Sequence, residues 1–288
     1  MMIKRLQLRT NRRPASPGSK IGWVVAILFI VLISCAGGWY YFVYTPAQEK
    51  AKALHQEQEQ LAKDIKAIDA FYLKELSGGS VQRFTELANE IVESSIILQK
   101  FNYVDEVFTC TAENCVFSYK LGEGGVFNVA QKIFWGEVYT VNYSDSTYDF
   151  TGIKSRLDSN PVLTAYKNKQ NAKVYPCGDL LSYVYSYNSA FIHEMPLTIK
   201  SPPSSSILAL EEKIVNKGKL KLVGLSFIPW EVKLSSVENT SASFGYINIL
   251  YLASFFERQA YKDAFIIKKI DTAKENNITG VMVCKSGK

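Results

Sequence analysis

The residue types that most often carry out chemistry, histidine and cysteine, are scarce and show no catalytic spacing. The chain of 288 residues has two histidines and five cysteines. His193 stands beside Glu194 in "FIHEMP", but no second histidine lies at the spacing that a zinc-binding helix needs. The loop "LGEGGVF" lacks the lysine and serine of a phosphate-binding loop, and no serine occupies a strand–turn–helix elbow. The sequence therefore predicts a protein that is not an enzyme and holds no cofactor.

The cysteines instead predict structural disulfides. Cys110 and Cys115 enclose the turn "TAEN" between two strand-like runs, a span that a disulfide can bridge. Cys177 and Cys284 are then left as a second pair by elimination. These four cysteines suit an oxidising compartment such as the bacterial periplasm. A CxxxxC spacing with so few histidines does not match a structural zinc site, so we predict no metal.

A long apolar run precedes all four of these cysteines. Residues 21–44 read "IGWVVAILFIVLISCAGGWYYFVY", which contains no charge and no proline. At 1.5 Å per residue such a helix spans about 36 Å, enough for a hydrocarbon core about 30 Å thick. The aromatic cluster at residues 39–44 is typical of a membrane–water interface. We therefore predict a permanent transmembrane helix.

Cys35, the fifth cysteine, allows a second interpretation. The tetrapeptide "LISC" at residues 32–35 fits the site at which a bacterial signal peptidase cuts and lipidates a cysteine. Cleavage there would leave the apolar residues 39–44 in water at the new N-terminus, which is unfavourable. The sequence thus favours the uncut helix, with Cys35 as a small apolar-facing thiol.

The charges predict the orientation of this helix. The first 20 residues contain no acid and six basic residues, which are Lys4, Arg5, Arg9, Arg12, Arg13 and Lys20. By the positive-inside rule residues 1–20 are a cytoplasmic tail, and the chain after residue 44 is translocated. These six charges equal the formal net charge of +6, so nothing in the exported part indicates a nucleic-acid partner. The predicted location is the bacterial inner membrane, with the C-terminal domains in the periplasm.

The segment after the membrane, residues 45–76, is predicted to be a coiled-coil helix. Its apolar residues recur at the a and d positions of the heptad, and those expected to form the interface are Ala51, Leu54, Leu61, Ile65 and Ile68. Pairing in a homodimer or heterodimer would bury this stripe. The alternative is a helix that folds back onto its own domain. The sequence "SGGS" at residues 77–80 is expected to end the helix and supply a joint.

The rest of the chain reads as two series of elements in the order α-β-β-α-β-β. The first, residues 80–155, opens with a helix that Ser80 caps and has its second helix at residues 125–134. The second, residues 203–288, has its first two strands in "KLKLVGLSF" and "WEVKLSSVE". "FTGI" at residues 150–153 matches "ITGV" at residues 278–281. Residues 156–202 form a linker with an extra helix. We expect an α+β fold with two ferredoxin-like modules.

Together these features resemble the PilO, PilN and GspM-type inner-membrane proteins of type IV pilus and type II secretion machines. The likeness covers almost the whole chain in architecture. Two segments are also similar in amino-acid sequence. That family's helix leading into its first strand resembles "SSSILALEEKIVNKGKLKLVGLSF", and its closing hairpin resembles "AFIIKKIDTAKENNITGVMVC". The two modules and the cysteines favour a specialised type IVb pilus version over a standard PilO.

The resemblance implies a non-enzymatic scaffold. Such a protein would link the cytoplasmic motor platform to the periplasmic components and pair with other inner-membrane and periplasmic assembly proteins, its tail arginines facing cytoplasmic components. The alternative function is a membrane-anchored periplasmic receptor that binds a ligand or peptide in the exported domains. A receptor would need a well-formed polar-lined pocket, and a 20-residue tail offers no cytoplasmic output domain, so the sequence favours the scaffold.

Overall fold

A computed structural model describes residues 20–144, 146–190, 195–215, 224–234 and 244–285. Seven residues singled out in the sequence lie outside these ranges, namely Lys4, Arg5, Arg9, Arg12, Arg13, His193 and Glu194. Lys20 begins the first helix. The chain divides into two compact units, residues 1–62 and residues 63–288.

The first unit is helical throughout its described part. Helix α1 covers Lys20–Trp39, a π-helical turn covers Tyr40–Tyr44, and helix α2 (Thr45–Glu75) follows without a break. Within the described residues, only the stretch that begins at Gly22 is long and apolar enough to cross a membrane. Its apolar side chains are exposed, Phe29 by 64% and Phe42 by 77%. Because the unit does not cover them, they require an apolar surrounding, and the helix could serve as a membrane anchor.

The π-helical turn has a local cause in Pro46. Proline has no N–H to donate to the carbonyl of Phe42, and its ring would clash with that carbonyl in a regular α-helix. The turn before it widens, so that the N–H of Thr45 reaches the carbonyl of Tyr40. On this widened turn the rings of Tyr40 and Tyr44 stack with centroids 5.2 Å apart. The helix therefore passes from its apolar to its polar segment without ending.

The second unit continues α2 and adds helices and strands around one sheet. The helices in its described part are α3 (Val81–Gln99), α4 (Pro161–Lys167), α5 (Cys177–Ala190), α6 (Leu208–Val215) and α7 (Phe244–Glu257). The strands are β1 (Tyr103–Thr111), β2 (Asn114–Leu121), β3 (Gln131–Phe134), β4 (Glu137–Thr140), β5 (Asn142–Ser144), β6 (Thr147–Lys154), β7 (Tyr175–Pro176), β8 (Leu197–Ile199), β9 (Leu225–Lys233), β10 (Phe265–Asp271) and β11 (Asn277–Lys285). As predicted, the side chain of Ser80 caps α3, accepting the N–H of Arg83 at 3.3 Å.

Nine of these strands form a single sheet. Its order is β5-β6-β2-β1-β10-β11-β9-β8, and β7 is added beside β11. All neighbours are antiparallel except β7 and β11. Strands β3 and β4 form a separate antiparallel hairpin. The chain is therefore α+β, with a long apolar N-terminal helix followed by helices and a mainly antiparallel sheet.

The two halves of the sequence meet at the centre of the sheet. Strand β1 pairs with β10, so that Cys110 lies opposite Ile270. Strand β2 lies beside β1 and β11 beside β10, while α3 and α7 pack against each other. The segments α3-β1-β2 and α7-β10-β11 thus follow a twofold-like order. The described residues do not show two separate ferredoxin-like sandwiches, since hydrogen bonds between β1 and β10 join both halves in one sheet.

A strand stands where the first half was predicted to have its second helix. Residues 131–134 of the predicted helix form β3, which pairs with β4 through a two-residue turn at Trp135 and Gly136. These residues have φ angles of 54° and 77°, which gives the tight turn with two positive φ angles that suits a hairpin. The helical prediction is wrong because the turn at Trp135 and Gly136 allows residues 131–134 to pair with β4.

The second half also differs from its predicted order. One strand, β9, replaces the two strands predicted in "KLKLVGLSF" and "WEVKLSSVE", of which residues 219–223 and 235–238 lie outside the described residues. The matching tetrapeptides "FTGI" and "ITGV" lie in β6 and β11. These strands occupy non-equivalent places in the sheet, since the position of β11 corresponds to that of β2.

The segment predicted as a linker, residues 156–202, contributes to the core. Leu157 and Leu180 are fully buried, and Leu197 is 1% exposed. Helix α5 packs against β11, and the ring of its Tyr183 lies 6.1 Å from that of Phe265 in β10. This segment is therefore part of the folded unit.

Both predicted disulfides are present. Cys110 and Cys115 are cross-strand neighbours in β1 and β2, with Cα atoms 4.0 Å apart. Cys177 at the start of α5 is bonded to Cys284 in β11, with Cα atoms 4.9 Å apart. Two buried disulfides suggest that this unit folds outside the cytoplasm.

The two disulfides should differ in their effect on stability. The Cys177–Cys284 bond joins residues 107 apart in sequence and the Cys110–Cys115 bond residues 5 apart. Loop-closure entropy then gives about 5 kcal/mol for the first and about 2 kcal/mol for the second. Urea denaturation of the full chain in lipid nanodiscs, followed by tryptophan fluorescence, should show the larger loss for Cys177→Ala/Cys284→Ala. Equal losses for the two double variants would contradict this order.

Candidate functional site

The predicted coiled-coil stripe divides into an exposed and a buried part along α2, which we call the stalk helix. Ala51 and Leu54 are exposed, Leu54 by 58%, and Leu61 and Ile65 are half-buried. Ile68 is fully buried within the second unit. The prediction that Ile68 pairs with a second helix is wrong, because its own domain already covers it. The lower end of the stalk helix thus follows the alternative in which the helix packs on its own domain.

Tyr72, one turn beyond Ile68, is the polar centre of this packing. Its hydroxyl donates to Oε1 of Glu211 in α6 and accepts the N–H of Leu225 in β9 at 3.4 Å. The other carboxylate oxygen of Glu211 accepts the N–H of Gly224 at 3.0 Å. Tyr72 is completely buried and Glu211 is 2% exposed. Buried hydrogen bonds to a carboxylate therefore join the stalk helix to α6 and β9.

A second tyrosine–carboxylate pair lies beside the first. The hydroxyl of Tyr166 in α4 donates to Oδ1 of Asp69 at 2.5 Å. The rings of Tyr72 and Tyr166 are 5.0 Å apart. The ring of Phe71 contacts that of Phe227 in β9, with centroids 5.6 Å apart. Asp69, Phe71 and Tyr72 lie within about one turn of the helix, and α4, α6 and β9 together hold that turn.

The end of the stalk helix is also fixed in place. The side chain of Asn160 donates to the carbonyls of Leu76 at 2.8 Å and Gly78 at 3.0 Å, which satisfies backbone acceptors that a helix end leaves free. Gly79 exchanges two backbone hydrogen bonds of 2.9 Å with Ile267 in β10. Both hydrogen bonds attach the end of the helix to the central part of the sheet.

The glycines of "SGGS" serve close approach of the backbone. Gly78 has φ of 130°, and a Cβ there would lie 2.6 Å from the carbonyl oxygen of Ile267. A Cβ on Gly79 would lie 2.5 Å from a methyl group of Leu157. The prediction of a joint is wrong, because this segment is buried and hydrogen-bonded on both sides. Glycine here permits tight packing.

Burial controls the ionisation of the central pair. It raises the pKa of Tyr72 far above its ordinary value, and the hydrogen bond to Glu211 raises this pKa further. Burial also raises the pKa of Glu211, although the hydrogen bonds from Tyr72 and Gly224 lower it in part. Tyr72 therefore remains a hydrogen-bond donor at neutral pH. Neither group is open to a substrate, so the arrangement fixes the lower end of the stalk helix within the second unit.

A second buried polar group lies in the first half of the domain. Glu106 stands at the irregularity in β1 between Val104 and Val107. Both of its carboxylate oxygens are buried, and among the described residues neither makes a hydrogen bond of acceptable geometry. Burial raises the pKa of Glu106 to about 7, although Ser95, Tyr119 and the charge of Lys132 offset part of this effect. This carboxyl group can therefore ionise near neutral pH inside the folded domain.

Sequence reasoning missed the residues that hold Tyr72 and the helix end. Glu211, Asp69 and Asn160 are ordinary polar residues, and their partners lie 139, 97 and 84 positions away in sequence. One signal was available. Tyr72 falls at an a position of the heptads, where a buried hydroxyl needs a hydrogen-bond partner that an apolar helix pair does not supply.

No protein-family model, no curated protein and no solved structure matches this chain. Its function must therefore follow from its own residues and geometry. The base of the stalk helix and the exposed part of its stripe are the features that bear on function.

Removing the Tyr72 hydroxyl should destabilise the domain more than neutralising its partner. Tyr72→Phe leaves the Glu211 carboxylate buried with fewer donors and should cost about 2 kcal/mol, whereas Glu211→Gln keeps an acceptor and should cost about 1 kcal/mol. Tyr185→Phe is the control, since Tyr185 is 76% exposed. Chemical denaturation of the full chain measures all three. A loss for Tyr72→Phe as small as that for the control would contradict the role of this hydroxyl.

The stability of the domain should fall as the pH rises toward 7. The folded state holds the Glu106 proton up to a pKa of about 7, while the unfolded chain releases it near 4.5. The contribution of Glu106 to the free energy of unfolding is therefore fully present below the unfolded pKa and is lost as the pH rises to neutral. Between pH 5 and pH 8 the loss should be about 2–3 kcal/mol.

Two variants isolate this contribution. Glu106→Gln should flatten the dependence of the free energy of unfolding on pH by that amount, because no proton is released. Glu93→Gln, at an exposed position of α3, should keep the wild-type slope. Parallel slopes for wild type and Glu106→Gln would disprove the assignment.

Proposed function

We propose that the protein is a non-enzymatic, single-pass inner-membrane scaffold of a type IV pilus or type II secretion-like machine. The observation that supports this is the stalk helix. Its lower end is held inside the domain by Tyr72 and Glu211, while its upper part presents apolar side chains such as Leu54 to the outside. A helix fixed in this way transmits position between a membrane and a domain, which is what a scaffold between two compartments requires.

The proposed topology places residues 1–20 in the cytoplasm and residues 63–288 in the periplasm. The basic tail supports this orientation, and the two disulfides support export of the second unit. The tail arginines Arg5, Arg9, Arg12 and Arg13 would then face the cytoplasmic motor platform. The assignment to pilus or secretion machinery, with a type IVb pilus favoured, rests on the resemblance in architecture and in the two segments quoted above.

Pairing would occur through the exposed part of the stripe. Ala51, Leu54, Leu61 and Ile65 follow the heptad spacing, and covering them with a second helix removes apolar surface from water. Gln58 at an a position would set the register of the pair. The partner is a second copy or another inner-membrane assembly protein. The proposal retains the ferredoxin-like modules, of which α3-β1-β2 and α7-β10-β11 would be the helix–strand–strand parts.

Photocrosslinking in the native cell tests the pairing. A photoreactive residue at Leu54 or Leu61 should give one discrete adduct, identified by mass as a second copy or an inner-membrane assembly protein. Gln56 is the matched control, because it is exposed on the same helix but lies at the f position of the heptad. It should give at least tenfold less adduct.

A charge variant tests the same face. Leu54→Lys, in an otherwise unchanged chain, should reduce the adduct from position 61 at least fivefold without changing the stability of the second unit, because Leu54 lies outside it. Equal adduct from Leu54 and Gln56, or an adduct unaffected by Leu54→Lys, would show that the stripe does not pair.

A further inference from the structure

An apolar groove opens on the first half of the domain, between the end of α3 and the β3–β4 hairpin. Its volume is about 490 Å³. One wall is formed by Ile97, Leu98 and Phe101, and the other by Val129, Ile133 and Val138. This volume falls within the range of known ligand clefts. The groove is therefore large enough to take several apolar side chains.

The exposed apolar surface continues beyond the groove. Ile133 and Val138 are opposite each other in the hairpin and are 62% and 60% exposed. At the other side, Phe127 is 61% exposed and its ring lies 5.3 Å from that of Phe101. The surfaces of soluble proteins seldom expose so many neighbouring apolar side chains, and such patches commonly bind other proteins. A small ligand would fill the groove but leave Phe127 exposed, so the surface fits a longer occupant.

Lys132 is the only charged residue among those that line the groove. Its ammonium group lies 3.4 Å from the carbonyl oxygen of Ser94 and takes part in none of the ion pairs within the described ranges of the chain. Burial lowers the pKa of Lys132, while the charges of Glu90 and Glu106 raise it without coming within ion-pair distance. A carboxylate placed in the groove would form an ion pair with the half-buried ammonium group of Lys132.

We propose that this groove binds an acidic amphipathic segment of a partner protein, whose apolar side chains lie between α3 and the hairpin and whose carboxylate pairs with Lys132. Charge selects this occupant over a second copy of the chain. In a symmetric pair the two grooves would face each other, and each would bring Lys132 as its only lining charge. The inference rests on the surface of the second unit alone and does not depend on pairing of the stalk helix.

A pair of synthetic peptides provides the test. Both are 14-residue amphipathic helices with leucines at i, i+3, i+4 and i+7, and they differ only in a glutamate or a lysine beside the leucine stripe. Binding to the full chain in lipid nanodiscs is measured by fluorescence anisotropy of the labelled peptides. The glutamate peptide should bind at least tenfold more tightly than the lysine peptide, and added salt should reduce this preference.

Three variants of the chain locate the binding. Ile133→Glu changes an exposed side chain of the groove and should weaken binding of the glutamate peptide at least tenfold, and Lys132→Gln should reduce the preference between the peptides to less than threefold. Tyr185→Glu, an equally exposed position outside the groove, should change neither value. Absence of binding, equal binding of both peptides, or self-association of the chain that Ile133→Glu abolishes would each overturn the proposal.

Discussion

The hydrogen bond between Tyr72 and Glu211 fixes the stalk helix in the folded domain. A carboxylate with 2% exposure is unfavourable unless donors surround it, and here Tyr72 and Gly224 supply them from different segments of the chain. Replacing Tyr72 or Glu211 alone would leave a buried polar atom without its partner. The resulting loss of stability is larger than the stabilisation that the pair itself provides. The lower end of the helix therefore cannot leave the domain without a large loss of stability, and Ile68 and Tyr72 belong to its core.

The end of the stalk helix is attached to strands from both halves of the domain. Gly79 pairs with Ile267 in β10, and β10 in turn pairs with β1 of the other half. Because these two strands lie at the centre of the sheet, the end of the stalk helix is attached to both halves through the same backbone ladder.

The first half of the domain combines the buried carboxyl group of Glu106 with an open apolar groove. Lys132 belongs to both, since it lines the groove and its charge lowers the pKa of Glu106. An acidic group in the groove would compensate the same cation and so weaken its effect on Glu106. The proposed occupant of the groove would therefore act on the ionisation of Glu106 through Lys132.

Local patterns in the sequence determined a definite part of this structure. The uncharged run at residues 21–44 is helical, Ser80 caps α3, and Cys110 bonds to Cys115, because hydropathy, capping and a short turn each act over a few neighbouring residues. The Cys177–Cys284 pair joins residues 107 apart, and elimination alone predicts it. The heptad stripe predicts that one face of α2 is covered, and at the lower end of the helix Ile68 is fully buried.

What covers that face was decided only by the tertiary structure. Periodicity shows that Ile68 and Tyr72 lie on an apolar face, but it cannot say whether the facing surface belongs to another chain or to strands far along the same one. Glu211 lies 139 residues from Tyr72, and Gly79 finds Ile267 only when β10 has formed. Strand pairing and buried hydrogen bonds join groups that are distant in sequence. A sequence pattern therefore indicates that a residue needs a partner, but it does not indicate which residue that partner is.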